Sequence, residues 1–129
     1  MSRVIKFRGK RPDGSWNYGR SIIFKQSGAV LIKGAKVDPD TVGQFTGLHD
    51  ANGKEIYEGD LVEFTYKKLN KYGSAFSTTQ KVIGEVATDE YGNHYISSCN
   101  LAFHISNIIE RKAKAIGNIH DNPELLKGG

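Results

Sequence analysis

Short apolar runs and strict alternations recur along the chain between turn-forming residues, and no window of about 11 to 18 residues keeps a helical period. The pattern predicts strands. Residues 4–7 read as the first, followed by Pro12-Asp13-Gly14-Ser15, where proline presets its backbone angle and glycine accepts a positive one, so the chain can reverse. Trp16 and Tyr18 then share one face. Residues 21–25 and 29–33 form a predicted hairpin around Gln26-Ser27-Gly28. Asp38-Pro39-Asp40-Thr41 is a turn or a single helical turn, with Asp38 as cap and Pro39 at the first helical position. It leads into Gln44-Phe45-Thr46.

The segment 47–62 (GLHDANGKEIYEGDLV) organises the middle of the chain. Asp50-Ala51-Asn52-Gly53 reads as a turn, residues 54–57 as a short strand and Glu58-Gly59-Asp60 as a second turn. Residues 61–66 alternate, with Val62, Phe64 and Tyr66 expected to face the core and Leu61, Glu63 and Thr65 the other side. Residues 67–80 (KKLNKYGSAFSTTQ) are polar and basic and read as a long mobile loop. Residues 82–87 and 94–97 flank a Gly-Asn turn, 101–109 are ambiguous, and 113–119 form the last predicted strand. Asn122-Pro123-Glu124 opens a short terminal helix.

A chain of 129 residues with 38% hydrophobic content can fill one modest core. A single domain over 1–129 is therefore expected, with a β part over 1–46 and a second part over 47–129. No run of about 18 apolar residues marks a membrane span, and the basic start MSRVIKFRGKR lacks the apolar stretch of a signal peptide. The expected location is the cytoplasm, with no membrane partner. Cys99 is the single cysteine, which excludes an internal disulfide and leaves a cysteine-based zinc site without its other thiolates.

The net charge of +4 is unevenly spread. Residues 1–20 carry six Lys or Arg against one Asp, residues 21–60 four Lys against six acids, and residues 63–83 four Lys against Glu63. Basic residues interleave with aromatics at two places: Lys6, Phe7, Arg8, Lys10, Arg11, Trp16 and Tyr18, and later Tyr66, Lys67, Lys68, Lys71 and Tyr72. Aromatic rings stack on bases while cations meet phosphates, so this combination suits nucleic acid. The bland alternative makes Phe7 and Trp16 core residues and the cations solvated surface. The candidate binding surface drawn from both places is Arg8, Lys10, Arg11, Trp16, Tyr66, Lys67, Lys68, Lys71 and Tyr72.

With these segments placed, the chain resembles the YopX family of bacteriophage and prophage proteins. The resemblance is carried by Ile5-Lys6-Phe7-Arg8, by 42–48 (VGQFTGL), by Asp50 with 52–62 (NGKEIYEGDLV), and by the ending 116–125 (IGNIHDNPEL). These matches run in order over nearly the whole chain; residues 67–80 are the stretch without a counterpart. The resemblance implies phage origin and a mainly β fold with β-hairpins in the N-terminal half, an SH3-like, partly open barrel in the C-terminal half and a short C-terminal helix. It implies no activity.

Catalytic and metal-binding patterns fit poorly. Counted from Asp50 as a calcium loop, position 5 is Lys54, position 6 is Glu55 and position 12 is Leu61, where an oxygen ligand, glycine and an acid are needed. Asp50, Glu55, Glu58 and Asp60 cluster in sequence, but Glu58 and Asp60 are better placed to accept backbone N–H bonds in their turn. His49, His94, His104 and His120 lack the spacing that aims two imidazoles at one ion. Pro39-Asp40 and Glu110-Arg111-Lys112 are too far apart to make a convincing nuclease motif, and no nucleophile elbow, phosphate loop or dinucleotide fingerprint is present. The leading expectation is a non-enzymatic accessory binding module, without a cofactor, acting on a host or phage protein or by forming a homo-oligomer. The alternative is nucleic-acid binding through the basic and aromatic residues. Metal-dependent hydrolysis through the four acids comes third.

Overall fold

The hairpin that opens the structure pairs β1 (Phe7–Lys10) with β2 (Trp16–Gly19), setting Arg8 opposite Tyr18 and Lys10 opposite Trp16. Its turn is closed by Arg11 N–H donating to the Ser15 carbonyl at 2.8 Å, with Gly14 at φ 88°. The apolar run pointed to 4–7 as the first strand. Pairing about the Pro12–Gly14 reversal fixes it later, because cations at alternate positions of β1 lie opposite aromatic rings that accept them. The computed structural model describes residues 5–69, 77–98, 101–104 and 113–127, with backbone only at 66–69, 77–80, 101 and 127.

By internal contacts the chain divides into an N-terminal unit, Met1–Leu48 with Glu55–Glu58, and a C-terminal unit, His49–Lys54 with Gly59–Gly129. In the N-terminal unit, β3 (Ile22–Phe24) and β4 (Val30–Ile32) form the expected hairpin, and a two-residue turn then adds β5 (Ala35–Val37). That turn has Lys33 at φ 52° and Gly34 at φ 79°, the left-handed pair that a tight hairpin needs. A 3₁₀ turn at Pro39–Thr41, capped by the Asp38 side chain accepting from Asp40 N–H, leads into β6 (Gly43–His49), and β7 (Glu55–Tyr57) follows. The unit holds two sheets, ordered β2-β1-β6-β7 and β3-β4-β5.

The core between these sheets is Val30, Ile32 and Val37, packed by Phe7, Ile22 and Val42. Fully removing a side chain such as Val30, Ile32 or Val37 from water contributes roughly 1.5–3 kcal/mol. Gly9 makes the packing close: a Cβ there would sit 2.8 Å from Val37 Cγ2, so any side chain would push the sheets apart. One face of β1 is thus spent on the core. Lys6, Arg8 and Lys10, by the two-residue period, lie on the other.

The C-terminal unit is a four-strand meander with a further strand that returns to pair with the first. β8 (Asp60–Leu69), β9 (Ser77–Thr88), β10 (His94–Ser98), β11 (Leu101–His104) and β12 (Lys114–Asn118) form an antiparallel sheet ordered β11-β10-β9-β8-β12. The sheet is open, and pairing among the described residues does not close it into a barrel. Hairpins in the N-terminal half, mainly β structure throughout and a short C-terminal helix, α1 (Glu124–Lys127), agree with the sequence reading. Residues 67–69 and 77–80, expected within a loop, instead extend the two arms of a hairpin, with Lys67 opposite Thr79 and Lys68 opposite Thr78. The remainder of that expected loop lies outside the described residues.

Val62 and Phe64 are buried as expected, and Leu61 is buried too, so the start of β8 is covered on both faces. Alternation alone could not show this second cover. Phe64 meets Phe103 edge to face at 5.1 Å, and Val86, Ile96 and Ala113 complete the buried set. Gly59, at φ 90°, donates its N–H to the Val86 carbonyl and accepts from Ile119 N–H, each at 2.9 Å. It therefore sets the register at the head of β8. No helix among the described residues is long and apolar enough to cross a membrane.

Candidate functional site

The outward face of β1 and its neighbours gathers cations and aromatic rings. Arg8 is 5% exposed, with its guanidinium carbon 4.6 Å from the Trp16 ring centroid and 4.9 Å from that of Tyr57. Its Nη2 donates to the Glu58 carbonyl at 3.3 Å. Lys10 lies 5.6 Å from the Trp16 ring, and Lys6 lies 5.6 Å from the Phe45 ring. Tyr57 touches both Phe45, at 5.4 Å, and Tyr18, at 5.5 Å edge-on. A guanidinium between two ring faces is held electrostatically where water is excluded, each contact being worth up to about 2 kcal/mol.

Glu55 ties this face together. One carboxylate oxygen accepts from Lys6 Nζ at 2.6 Å and the other from the Tyr57 hydroxyl at 3.0 Å. Burial pushes the Tyr57 phenol far above its ordinary pKa, and the bond to Glu55 and that carboxylate's charge push it further. Tyr57 therefore stays a neutral donor. Glu58 accepts from Gln44 N–H on β6 at 2.7 Å, a bond across to a neighbouring strand where one within its own turn was expected.

A cleft of about 600 Å³ opens at the end of this face, lined by Lys6, Tyr18, Gly19, Arg20, Ser21 and Lys33. Three of these six are cations and none is acidic. Gly19 allows the assembly: a Cβ there would lie 2.9 Å from the Cβ of Lys33, so only glycine lets the β4–β5 turn come so near β2. Lys33 N–H donates to the Ser21 carbonyl at 3.1 Å, which pins the turn to the segment carrying Arg20. Tyr18 is 46% exposed.

Of the residues expected to form a binding surface, Arg8, Lys10 and Trp16 come together, although Arg8 is enclosed rather than presented. Arg11 is exposed in the β1–β2 turn, where its Nη2 donates to Asn17 Oδ1 at 2.8 Å. Tyr66, Lys67 and Lys68 lie on β8 of the C-terminal unit, with backbone alone described, and Lys71 and Tyr72 lie outside the described residues. The sequence reading left Arg20, Lys33, Phe45, Glu55 and Tyr57 out of this surface. Reflection of Lys6-x-Arg8-x-Lys10 onto Trp16-x-Tyr18 about the turn was a local signal for the first half of the site. The partners from β6 and β7 are distant in sequence, Glu55 lying 49 residues from Lys6, and no local pattern announces them.

In the C-terminal unit, Asp50 is a structural acid. It is 7% exposed, its Oδ1 accepts from Asn52 N–H at 2.8 Å and Lys54 N–H at 2.9 Å, and its Oδ2 accepts from Ala115 N–H at 2.9 Å. Burial alone would raise its pKa, but these three bonds outweigh it and hold the carboxyl below its ordinary range. A second cleft, of about 450 Å³, is lined by residues including Asp89, His94, Phe103 and His104. Asp89 already accepts from Tyr91 and Asn93 N–H, and His94 Nδ1 lies 2.9 Å from Thr88 Oγ1. No group of three or more His, Cys, Asp or Glu among the described residues is placed to hold a metal ion.

Fold and site together define a mainly β protein with a cation-lined, aromatic cleft in its N-terminal unit. The sequence pattern of the YopX protein family matches residues 6–127, and the chain belongs to that family. In structure it is similar to the crystal structure of protein EF1440 from Enterococcus faecalis, at 30% identity and a TM-score of 0.61, over 97% of this chain and 99% of that one. No curated protein matches the chain.

Proposed function

We propose that this protein is a non-enzymatic accessory module of phage origin that acts in the bacterial cytoplasm by binding, and that its N-terminal unit takes an anionic ligand. The observation that supports this reading is the cleft whose lining holds Lys6, Arg20 and Lys33, with no acid among its described lining residues. Cations converging on a concave surface focus positive potential there and draw in anions. Glu55 offsets Lys6, so Arg20 and Lys33, both exposed, supply most of the attraction.

Binding to heparin and to polyglutamate, titrated with salt, tests the reading. Affinity is expected to fall steeply with ionic strength, since each contact displaces counterions. The double variant Arg20→Glu/Lys33→Glu should lose binding at least tenfold more than Lys36→Glu/Lys114→Glu, which makes the same charge change at exposed positions outside the cleft. Equal losses in the two variants, or no salt-sensitive binding by the unaltered protein, would remove the proposal.

A second reading, self-association, rests on β3. It is an edge strand, and its Ile23 and Phe24 are 54% and 70% exposed. An open edge with apolar side chains is a template for strand pairing with a second copy. Light scattering over a concentration series should then show a dimer that Phe24→Lys converts to monomer.

A further inference from the structure

The cleft at Tyr18 combines two features, of which an anion site by itself requires only the first. One is the pair of exposed cations, Arg20 and Lys33, fixed close to β2 by Gly19 and by the backbone bond from Lys33 to Ser21. The other is a tyrosine ring that is 46% exposed and yet held in place. Tyr57 meets that ring edge-on at 5.5 Å, and Tyr57 is itself buried and tied by its hydroxyl to Glu55. A ring braced by a fixed neighbour loses little freedom when a flat ligand covers it.

We infer that the ligand of this cleft is single-stranded nucleic acid, with an unpaired base stacked on Tyr18 and neighbouring phosphates on Arg20 and Lys33. The inference rests on the anion-binding reading above and adds the class of ligand. A stacked base explains why a ring lies among the cations: every base offers a flat face, while a backbone phosphate on either side of it meets a cation. An acidic peptide would use the cations and leave the ring without a matching surface. A duplex keeps its bases stacked on one another and out of reach.

Fluorescence anisotropy with the full chain tests this, using a labelled oligothymidylate, an abasic sugar-phosphate strand of the same length, the corresponding duplex and polyglutamate. Oligothymidylate is expected to bind on the order of tenfold more tightly than the abasic strand. Tyr18→Leu should erase that difference, and Tyr18→Phe and Tyr18→Trp should keep it. The ring-bearing variants separate loss of stacking from loss of fold. Equal affinity for the base-bearing and abasic strands would overturn the stacked base and leave the anion site standing. Tighter binding of polyglutamate or of the duplex would overturn the choice of ligand. Failure of every anion to bind would remove both the inference and the reading beneath it.

Discussion

Arg8 in the N-terminal unit and Asp50 in the C-terminal unit are buried charges of opposite sign, stabilised in different ways. Around Arg8 stand two aromatic side-chain faces, with the Glu58 carbonyl accepting from its Nη2. Around Asp50 they are backbone: three N–H groups, two from its own turn and one from β12. Ring faces are as hospitable to an apolar chain as to a guanidinium, whereas backbone donors whose acceptor is removed stay buried and unsatisfied. A buried charge is thus replaceable where side chains made its niche and hard to replace where the backbone did.

The largest effect should come from Asp50→Ala, which leaves three N–H groups without their acceptor and is expected to cost about 3 kcal/mol or more in chemical denaturation. Arg8→Met, which fills a similar volume between the same rings, should cost about 1–2 kcal/mol. A loss for Arg8→Met equal to that for Asp50→Ala would break the contrast. Gly59→Ala belongs between them, at roughly 1–3 kcal/mol, since it forces a side chain onto a left-handed backbone that carries two register-setting bonds.

A pH scan sharpens the same contrast. The folded-state pKa of Asp50 is depressed, so its stabilising contribution is complete above the unfolded carboxyl value of about 4 and is lost as pH falls through the lower folded value. Asp50→Asn should flatten that acid limb of the stability curve. Arg8→Met should leave it in place, because it leaves the Asp50 carboxyl and its three donors unchanged. The smallest effect concerns Glu55. Glu55→Gln should change stability by about 1 kcal/mol, raise polyanion affinity a few-fold by removing the charge that offsets Lys6, and bring the Tyr57 ionisation down toward its ordinary value in an ultraviolet titration.

Both niches were partly legible in the sequence. The turn at Asp50 was readable from Asn52-Gly53, and the failed calcium-loop count left a tight turn there. The third bond, from Ala115, was not, because it joins residues 65 positions apart. The cations of β1 and the aromatics of β2 stood out by alternation about Pro12–Gly14, yet nothing local distinguished Arg8, enclosed, from Lys10, half-buried. That depends on Tyr57, which β7 brings beside β6. The strand β5 was missed because its turn uses Lys33-Gly34 rather than the Asn-Gly or Asp-Gly pairs that announce a two-residue hairpin. Lys33, a residue of the proposed site, was hidden by the same substitution.

The division of the chain at 48/49, 54/55 and 58/59 bears on how such a gene can be cut and recombined. No single break point yields two intact halves. A fragment ending near residue 46 would keep β1 to β5 but lose β7, and with it the tyrosine that braces Tyr18 and the acid that offsets Lys6. A fragment starting at Gly59 would lose Asp50 and the turn it holds. Either cut therefore removes part of the unit it is meant to preserve.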